Sequence, residues 1–157
     1  MEAHGLALQG DSSACLLALS DAETAFAAIN LADTPTWLGY FDSAYLAAKF
    51  AHTFRDLGRP REAEQFARRS LEMSDGYERG RLFNTALLAS TLADQRRVED
   101  ACAIGMDAID MAQTVRSVRS AAYLADVGRR LAPFRATADV RLLFEQMEAT
   151  GIPAPTS

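Results

Sequence analysis

The chain has 157 residues, of which 49% are hydrophobic and 24% are charged, and its formal net charge at pH 7 is −5. This length fits one domain with a real core, and the acidic balance gives no indication that nucleic acid is the partner. With one Trp and modest Val and Ile content, the composition favours helices over sheets.

The N-terminal residues predict a pair of helices. A short helix over 2–9 is followed by a turn over 10–13, rich in helix-capping residues, and by a longer helix over 14–30. The second helix aligns with the second helix of a later repeat, so we expect a truncated first repeat and a chain that begins inside an array. Leu6, Leu8 and Leu16 would then be exposed. No signal peptide is expected, because the start is neither basic nor strongly apolar.

The connection over 31–42 contains three aromatic residues, Trp37, Tyr40 and Phe41. They could form a wall for a ligand, but we favour a packing wedge between repeats. Asp42 or Ser43 is expected to cap the helix that follows.

The stretch 44–75 predicts a helix–turn–helix unit. Its first helix carries Phe50, Ala51 and Phe54 on one stripe and ends near Gly58. Its second helix begins at residue 60 or 61 and is expected to end at Gly76. The apolar or small residues of that helix are Ala63, Phe66, Ala67, Ser70 and Leu71. The recurring alanines indicate that the two helices cross closely.

The segment 82–112 repeats this pattern. Leu88, Ala89 and Leu92 match the stripe of the first unit at an offset of 38 residues (88 − 50). Tetratricopeptide repeats have a period of about 34 residues, so we expect a longer connection over 76–79. The internal turn over 94–97 lacks the glycine that indicates a tight turn in the first unit. An ordinary antiparallel bundle with coincidental spacing is the alternative.

A last pair of helices is predicted over 115–131 and 136–149, with Pro133 between them. The second of these helices is expected to bury Val140, Leu143, Phe144 and Met147. The prediction is therefore all-α: a tetratricopeptide-like stack of about four antiparallel helix hairpins, a right-handed α-solenoid with its first repeat truncated. We expect one domain over 1–150 and a flexible tail over 151–157.

Two segments carry a resemblance to a known family. Trp37, Leu38, Tyr40, Phe41 and Asp42 are followed by the sequence DLG at 56–58. This pattern resembles the C-terminal tetratricopeptide-like region of actinobacterial helix-turn-helix (XRE-type) transcriptional regulators, and the segments 99–110 and 129–135 are similar to its closing part. The resemblance implies an intracellular regulator whose repeat region senses a partner or ligand. No recognition helix is visible here, so we expect no sequence-specific DNA binding by this chain.

A repeat stack lines its concave face with residues of each first helix. The predicted partner-binding residues are Tyr45, Lys49, His52, Arg55, Phe83, Ser90, Arg119, Tyr123 and Arg130. Their basic members could form a groove for an acidic or carboxylate group of a protein or peptide. The alternative is that they are solvated helix faces, paired with neighbours such as Asp56 and Asp126.

Nothing in the sequence predicts a catalytic, metal or cofactor site. The chain lacks a phosphate-binding loop, a dinucleotide fingerprint and a nucleophile elbow. Cys15 and Cys102 are expected to be buried thiols of a cytoplasmic protein, and no stretch is long and apolar enough for a membrane span.

Three functions follow from these observations. The first is a non-catalytic binding module, the sensor or assembly region of a regulator. The second is a self-association module that forms a homodimer through the apolar N-terminal end. The third, a small-molecule-binding or enzymatic helical scaffold, is less well supported because no residue spacing predicts a reaction centre.

Overall fold

The computed structural model describes residues 1–29, 42–115 and 117–155. These residues form the helices α1 Glu2–Leu8, α2 Ser12–Ala27, α3 Ser43–Asp56, α4 Pro60–Ser70, α5 Glu78–Asp94, α6 Val98–Thr114, α7 Val118–Leu131 and α8 Ala138–Ala149. No strand occurs in these ranges, so the predicted all-α class is confirmed. None of the described helices combines the length and apolarity needed to cross a membrane.

The helices divide between two compact units, Met1–Ser70 with α1 to α4 and Leu71–Ser157 with α5 to α8. Each unit has its own buried residues and is described by itself. The expectation of a single repeat domain over 1–150 stays a prediction.

In the first unit, α1 packs against α2 and α3, and α3 packs against α4. The Phe66 ring lies 5.1 Å from the Phe50 ring and 5.4 Å from the Phe54 ring. Ala63 and Ala67 of α4 are fully buried. Residues this small allow the two helices to pack at short distance, as the sequence predicts.

In the second unit, α5 packs against α6 and α7, and α6 packs against α7 and α8. The central helix α5 buries Leu87 and Leu88. Gly105 of α6 allows α8 to approach, because a Cβ added there would lie only 3.2 Å from Leu143 Cδ1. The predicted burial of Val140, Leu143 and Met147 in α8 is confirmed, whereas Phe144 is half-buried.

The residues after α8 pack back onto the second unit. Ile152 is buried, and its amide donates a hydrogen bond of 2.8 Å to the Met147 carbonyl. Pro155 lies beside Gly128 of α7, since a Cβ added at Gly128 would be 3.1 Å from Pro155 Cδ. The segment that the sequence predicts to be a loose tail therefore holds residues with specific contacts.

The turn between α3 and α4 is a tight left-handed connection. Gly58 has a φ of 71°, and its amide donates to the Arg55 carbonyl at 3.0 Å. The next amide, of Arg59, donates to the Phe54 carbonyl at 2.9 Å. These bonds satisfy the last carbonyls of α3, as in a Schellman motif. The Arg59 guanidinium then pairs with Glu62 in the first turn of α4, with Nε 2.9 Å from Oε1.

The turn between α5 and α6 has the same geometry, with Arg96 in the place of Gly58 at the offset of 38 residues (96 − 58) found in the sequence. Arg96 has a φ of 61° and is the one non-glycine residue with a positive φ in the described ranges. Its amide donates to the Ala93 carbonyl at 2.9 Å, and the Arg97 amide donates to the Leu92 carbonyl at 3.1 Å. Arg97 pairs with Asp100, Nε to Oδ2, at 2.8 Å. The turn is therefore tight although it lacks glycine, because Arg96 adopts the conformation that glycine favours.

The turn between α1 and α2 has the same form. Gly10 has a φ of 76°, and its amide donates to the Ala7 carbonyl at 3.0 Å. The Asp11 amide donates to the Leu6 carbonyl at 3.1 Å, and the Asp11 carboxylate caps α2 by accepting from the Ala14 amide at 3.0 Å. Three helix pairs thus share one turn geometry. The helices α7 and α8 are joined differently, through a 3-10 turn at Ala132–Phe134.

The connection between α4 and α5 differs from the prediction. Helix α4 ends at Ser70, and Gly76, although its φ is 90°, lies in the connection beyond that end. The expectation that Gly76 ends α4 is therefore wrong. Glu78 and Arg79, expected in the connection, form the first turn of α5.

The connection between α2 and α3 can be compared with the prediction only where it meets α3. Asp42 caps this helix as expected, because its Oδ1 accepts a hydrogen bond of 2.8 Å from the Tyr45 amide. The predicted packing wedge of Trp37, Tyr40 and Phe41 lies outside the described residues.

Replacing Arg96 by Gly is expected to stabilise the second unit by about 0.5–1 kcal/mol, because a left-handed backbone costs a residue with a side chain about 1 kcal/mol. The reciprocal change, Gly58→Arg, is the matched control and is expected to destabilise the first unit by about 1 kcal/mol. An added Cβ at Gly58 meets no atom within 4 Å, so only backbone strain contributes. Urea denaturation measures both changes. Equal stability of Gly58→Arg and the parent chain would contradict the shared turn geometry.

Candidate functional site

Four of the predicted partner-binding residues lie on α3 in the first unit: Tyr45, Lys49, His52 and Arg55. The Lys49 ammonium lies 5.1 Å from the centre of the Tyr45 ring, which is a cation–π distance. These two side chains line one side of a cavity, whereas His52 and Arg55 belong to a charged cluster at the C-terminal end of the helix. The four residues therefore form two groups with different surroundings.

The charged cluster joins α3 to α1. His4 Nε2 of α1 lies 2.6 Å from Asp56 Oδ2, and Arg55 Nη2 lies 3.5 Å from Asp56 Oδ1. The His52 ring lies 6.5 Å from the His4 ring. Burial, the Arg55 charge and the Lys49 charge lower the pKa of His52 to about 4, against the opposing effect of Asp56. His52 is therefore neutral at pH 7 and adds no positive charge to the predicted groove.

A cavity of about 440 Å³ lies between α1, α2 and α3. Its apolar walls include Leu19, Leu46 and Phe50, and α2 contributes several alanines. Met1 and the polar side chains of Glu2, His4, Asp21 and Lys49 also line it. Ligand pockets in proteins have about this size and this combination of apolar walls with a few polar groups.

The other predicted residues lie on α5 and α7 of the second unit: Phe83, Ser90, Arg119, Tyr123 and Arg130. The rings of Phe83 and Tyr123 are stacked, with centroids 4.9 Å apart and planes 15° apart. Both are half-buried, so part of the stack faces solvent. Offset aromatic pairs of this kind add packing energy beyond their buried area.

An ionic network lies further along the same two helices. Arg130 Nη1 lies 2.6 Å from Asp94 Oδ1, and its Nε donates to Asp126 Oδ2 at 2.9 Å. The buried Ser90 hydroxyl lies 3.3 Å from Asp126 Oδ2, and Arg129 Nη2 lies 3.0 Å from Asp126 Oδ1. Burial disfavours the charged guanidinium, but the hydrogen bonds to the two carboxylates outweigh it and raise the pKa of Arg130. Arg130 is thus already held by two acidic partners.

These contacts change the electrostatic interpretation of the predicted groove. His52 is neutral, Arg55 lies beside Asp56, and Arg130 is shared by two carboxylates. Lys49 and Arg119 are the exposed cations that remain. The residues chosen from spacing lie in separate groups, among them Tyr45 with Lys49 and Phe83 with Tyr123, and much of their charge is compensated by neighbouring side chains.

Two features of these surfaces were missed by the sequence analysis. The pairing of His4 with Asp56 joins residues 52 positions apart, and no local pattern predicts it. The cavity wall on α2 contains Ala18, Ala22 and Ala25, a spacing that could have been recognised as one small-residue face of a helix.

The cysteines and the other potential metal ligands are the last reactive groups to consider in the described residues. Within the described ranges, no group of three or more His, Cys, Asp or Glu side chains could hold a metal ion. Cys15 and Cys102 are buried and free, as predicted. Burial raises the pKa of both thiols, that of Cys102 to about 11, so both stay protonated at neutral pH.

Comparisons with known proteins identified no related protein. A scan against protein-family models and searches of curated proteins and of solved structures found no match to this chain.

The first unit is expected to lose stability as the pH falls from 6.5 towards 4. In this window the unfolded chain protonates His52 while the folded chain keeps it neutral, so the unfolded state binds more protons and the free energy of unfolding decreases. For a partly exposed group the loss is expected to be about 1–2 kcal/mol. Urea denaturation at a series of pH values should show a shallower slope for His52→Gln. Identical slopes would contradict the buried, neutral state of His52.

Proposed function

We propose that this chain is a non-catalytic protein- or peptide-binding module built from tetratricopeptide-like helix hairpins. The observation that carries the proposal is the recurrence of one left-handed hairpin turn at Gly10, Gly58 and Arg96. Proteins built from repeated hairpins present rows of side chains from equivalent helices, and they use these extended surfaces to bind partners. Repetition of the turn therefore supports a scaffold that functions by presenting a binding surface.

We further propose that the module is the sensor or assembly region of a transcriptional regulator. This part depends on the resemblance of residues 37–42 and 56–58 to the C-terminal region of helix-turn-helix regulators. Such a region acts by changing its contacts when a partner or ligand binds, and needs no chemistry of its own.

The surface formed by α5 and α7 is the best-defined part of this proposal. The stacked Phe83 and Tyr123 rings offer partly exposed aromatic area, which is typical of binding hot spots. Arg119 is exposed on α7 and is the residue we assign to an acidic group of the partner. Arg130, fixed by Asp94 and Asp126, would contribute rigidity more than charge.

Selection of random peptides against the immobilised full chain is expected to enrich a peptide that carries an acidic residue. Tyr123→Ala and Arg119→Ala should each weaken its binding about tenfold, as expected for a hot-spot aromatic and a charge-assisted contact. The control is Arg141→Ala, which removes an exposed arginine from α8 and should leave the affinity unchanged. Fluorescence anisotropy measures the affinities. Failure to enrich any peptide, or equal affinities for all variants, would overturn this proposal.

Self-association is the second candidate function. Leu8 and Leu17 near the first hairpin turn are 71% and 69% exposed, and Leu16 is 39% exposed, whereas Leu6 packs against the core. Leucines this exposed favour contact with a second apolar surface. A second copy of the chain would bury them symmetrically.

Light scattering at micromolar concentration is expected to give the mass of a dimer if this surface associates. Leu8→Glu and Leu17→Glu should then each give a monomer, because a buried carboxylate opposes association. Leu142→Glu is the matched control, since Leu142 is 57% exposed on α8 in the other unit. A parent chain that is already monomeric excludes this function.

A further inference from the structure

An open groove of about 410 Å³ lies between α6 and α8 of the second unit. Cys102, Ala103 and Met106 of α6 and Leu142 of α8 provide its apolar lining. Cys102 is only 4% exposed and Leu142 is 57% exposed, so the lining extends from a buried thiol to a leucine at the surface. Contiguous apolar surface with a polar rim is typical of protein interaction sites.

Two carboxylates, those of Glu99 and Asp139, form the polar rim of this groove. Both residues are exposed, and neither forms an ion pair with another described residue. Among the described residues that line the groove there is no lysine or arginine. Burial and the negative charge of Asp139 raise the pKa of Cys102, which places this carboxylate close to the buried thiol. The rim is therefore acidic without a compensating cation in the lining.

The helix ends offset this negative charge only in part. Both rim carboxylates lie in the first turn of their helices, where the peptide dipoles place about half a positive charge per helix. The same two helices carry four further exposed carboxylates, those of Asp107, Asp110, Glu145 and Glu148. Helix α6 has no basic residue, and α8 has only Arg141. The α6–α8 surface therefore remains negative.

The combination of charge and apolar lining restricts the class of ligand. A negative surface repels nucleic acid and anionic membranes, and it attracts a positively charged partner. Leu142 and Met106 favour a ligand that also has an apolar part, because contact with it removes their side chains from water. A segment of protein with both lysine or arginine and leucine-like side chains meets these two requirements.

We propose that the groove between α6 and α8 binds a basic segment of a partner protein, in which apolar side chains are flanked by lysines or arginines. The apolar side chains pack against Leu142 and Met106, and the cations lie near Glu99 and Asp139. This inference rests on the proposed binding function. It adds a surface whose partner has a charge opposite to that of the peptide assigned to the α5–α7 surface.

The probe is a fluorescein-labelled peptide with a pair of leucines between lysines, and its binding to the full chain is measured by fluorescence anisotropy. One control peptide has serines in place of the leucines, and the other has glutamates in place of the lysines. The leucine–lysine peptide is expected to bind at least about tenfold more tightly than either control. Its binding should weaken as the salt concentration rises. Equal binding of the serine peptide, or tighter binding of the glutamate peptide, would overturn the proposal.

Charge variants test the rim in the same assay. The double variant Glu99→Gln with Asp139→Asn is expected to weaken binding of the leucine–lysine peptide about tenfold at low salt. The matched control is Asp21→Asn with Glu23→Gln, which removes the same charge from exposed positions of α2 in the first unit. Equal loss from both pairs would mean that only net charge matters and would overturn the site.

Apolar variants test the groove without disturbing the core. Leu142→Asn is expected to weaken binding about fivefold, because the exposed leucine loses its contact with the peptide. Leu17→Asn is the matched control, since Leu17 of α2 is 69% exposed in the first unit. The bound peptide should also slow alkylation of the thiol introduced by Ala103→Cys, but not of the thiol introduced by Ala122→Cys on α7. Both positions are exposed. Equal alkylation rates with and without peptide at position 103 would overturn the site.

Two further outcomes would overturn the proposal in different ways. Helix α7 presents Arg119 and Arg129 at the surface, so a second copy of the chain also offers a basic face. A parent chain that sediments as a salt-sensitive oligomer, and as a monomer when both arginines are replaced by alanine, would identify that copy as the occupant. No binding of the leucine–lysine peptide would overturn this inference alone, because selection of acidic peptides on the α5–α7 surface is an independent measurement.

Discussion

The short distance between paired helices is the constraint on which each unit depends. Ala51 and Ala63 are fully buried where α3 meets α4, and Ala89 and Ala101 are fully buried where α5 meets α6. A larger side chain at such a position forces the helices apart, which costs about 1–3 kcal/mol. The left-handed turns also keep the paired helices close, because they reverse the chain within a few residues and begin the second helix beside the first.

The helices were predictable because their signals are local. Apolar residues recur at the spacing of one helix face, and the buried stripe of Phe50, Ala51 and Phe54 was identified from that spacing alone. Turn geometry was less predictable. At Arg96 the sequence has no glycine to indicate a left-handed residue, and hydrogen bonds to the end of α5 hold the backbone in that conformation. Gly76 is a glycine with a positive φ, but no helix ends there.

The candidate surfaces were predictable in position but not in charge. Spacing placed Ser90 and Arg130 on one predicted face, and in the structure both contact Asp126. Spacing identified Asp126, four residues before Arg130 on α7, as a neighbour, but it could not identify Asp94 as the second partner of Arg130, because that pairing depends on the rotation of α5 and α7 about their axes. The cavity escaped prediction for a related reason: its walls come from three helices, and its volume depends on how closely they pack.

A left-handed turn that accepts arginine has a consequence for how such a fold changes over time. The strain is on the order of a single surface interaction, so a helix hairpin can lose its glycine while its backbone path persists. Copies of one hairpin can then diverge until residue identity no longer reveals their common origin. Backbone dihedral angles and main-chain hydrogen bonds at the turn would then indicate common origin for longer than residue identity does.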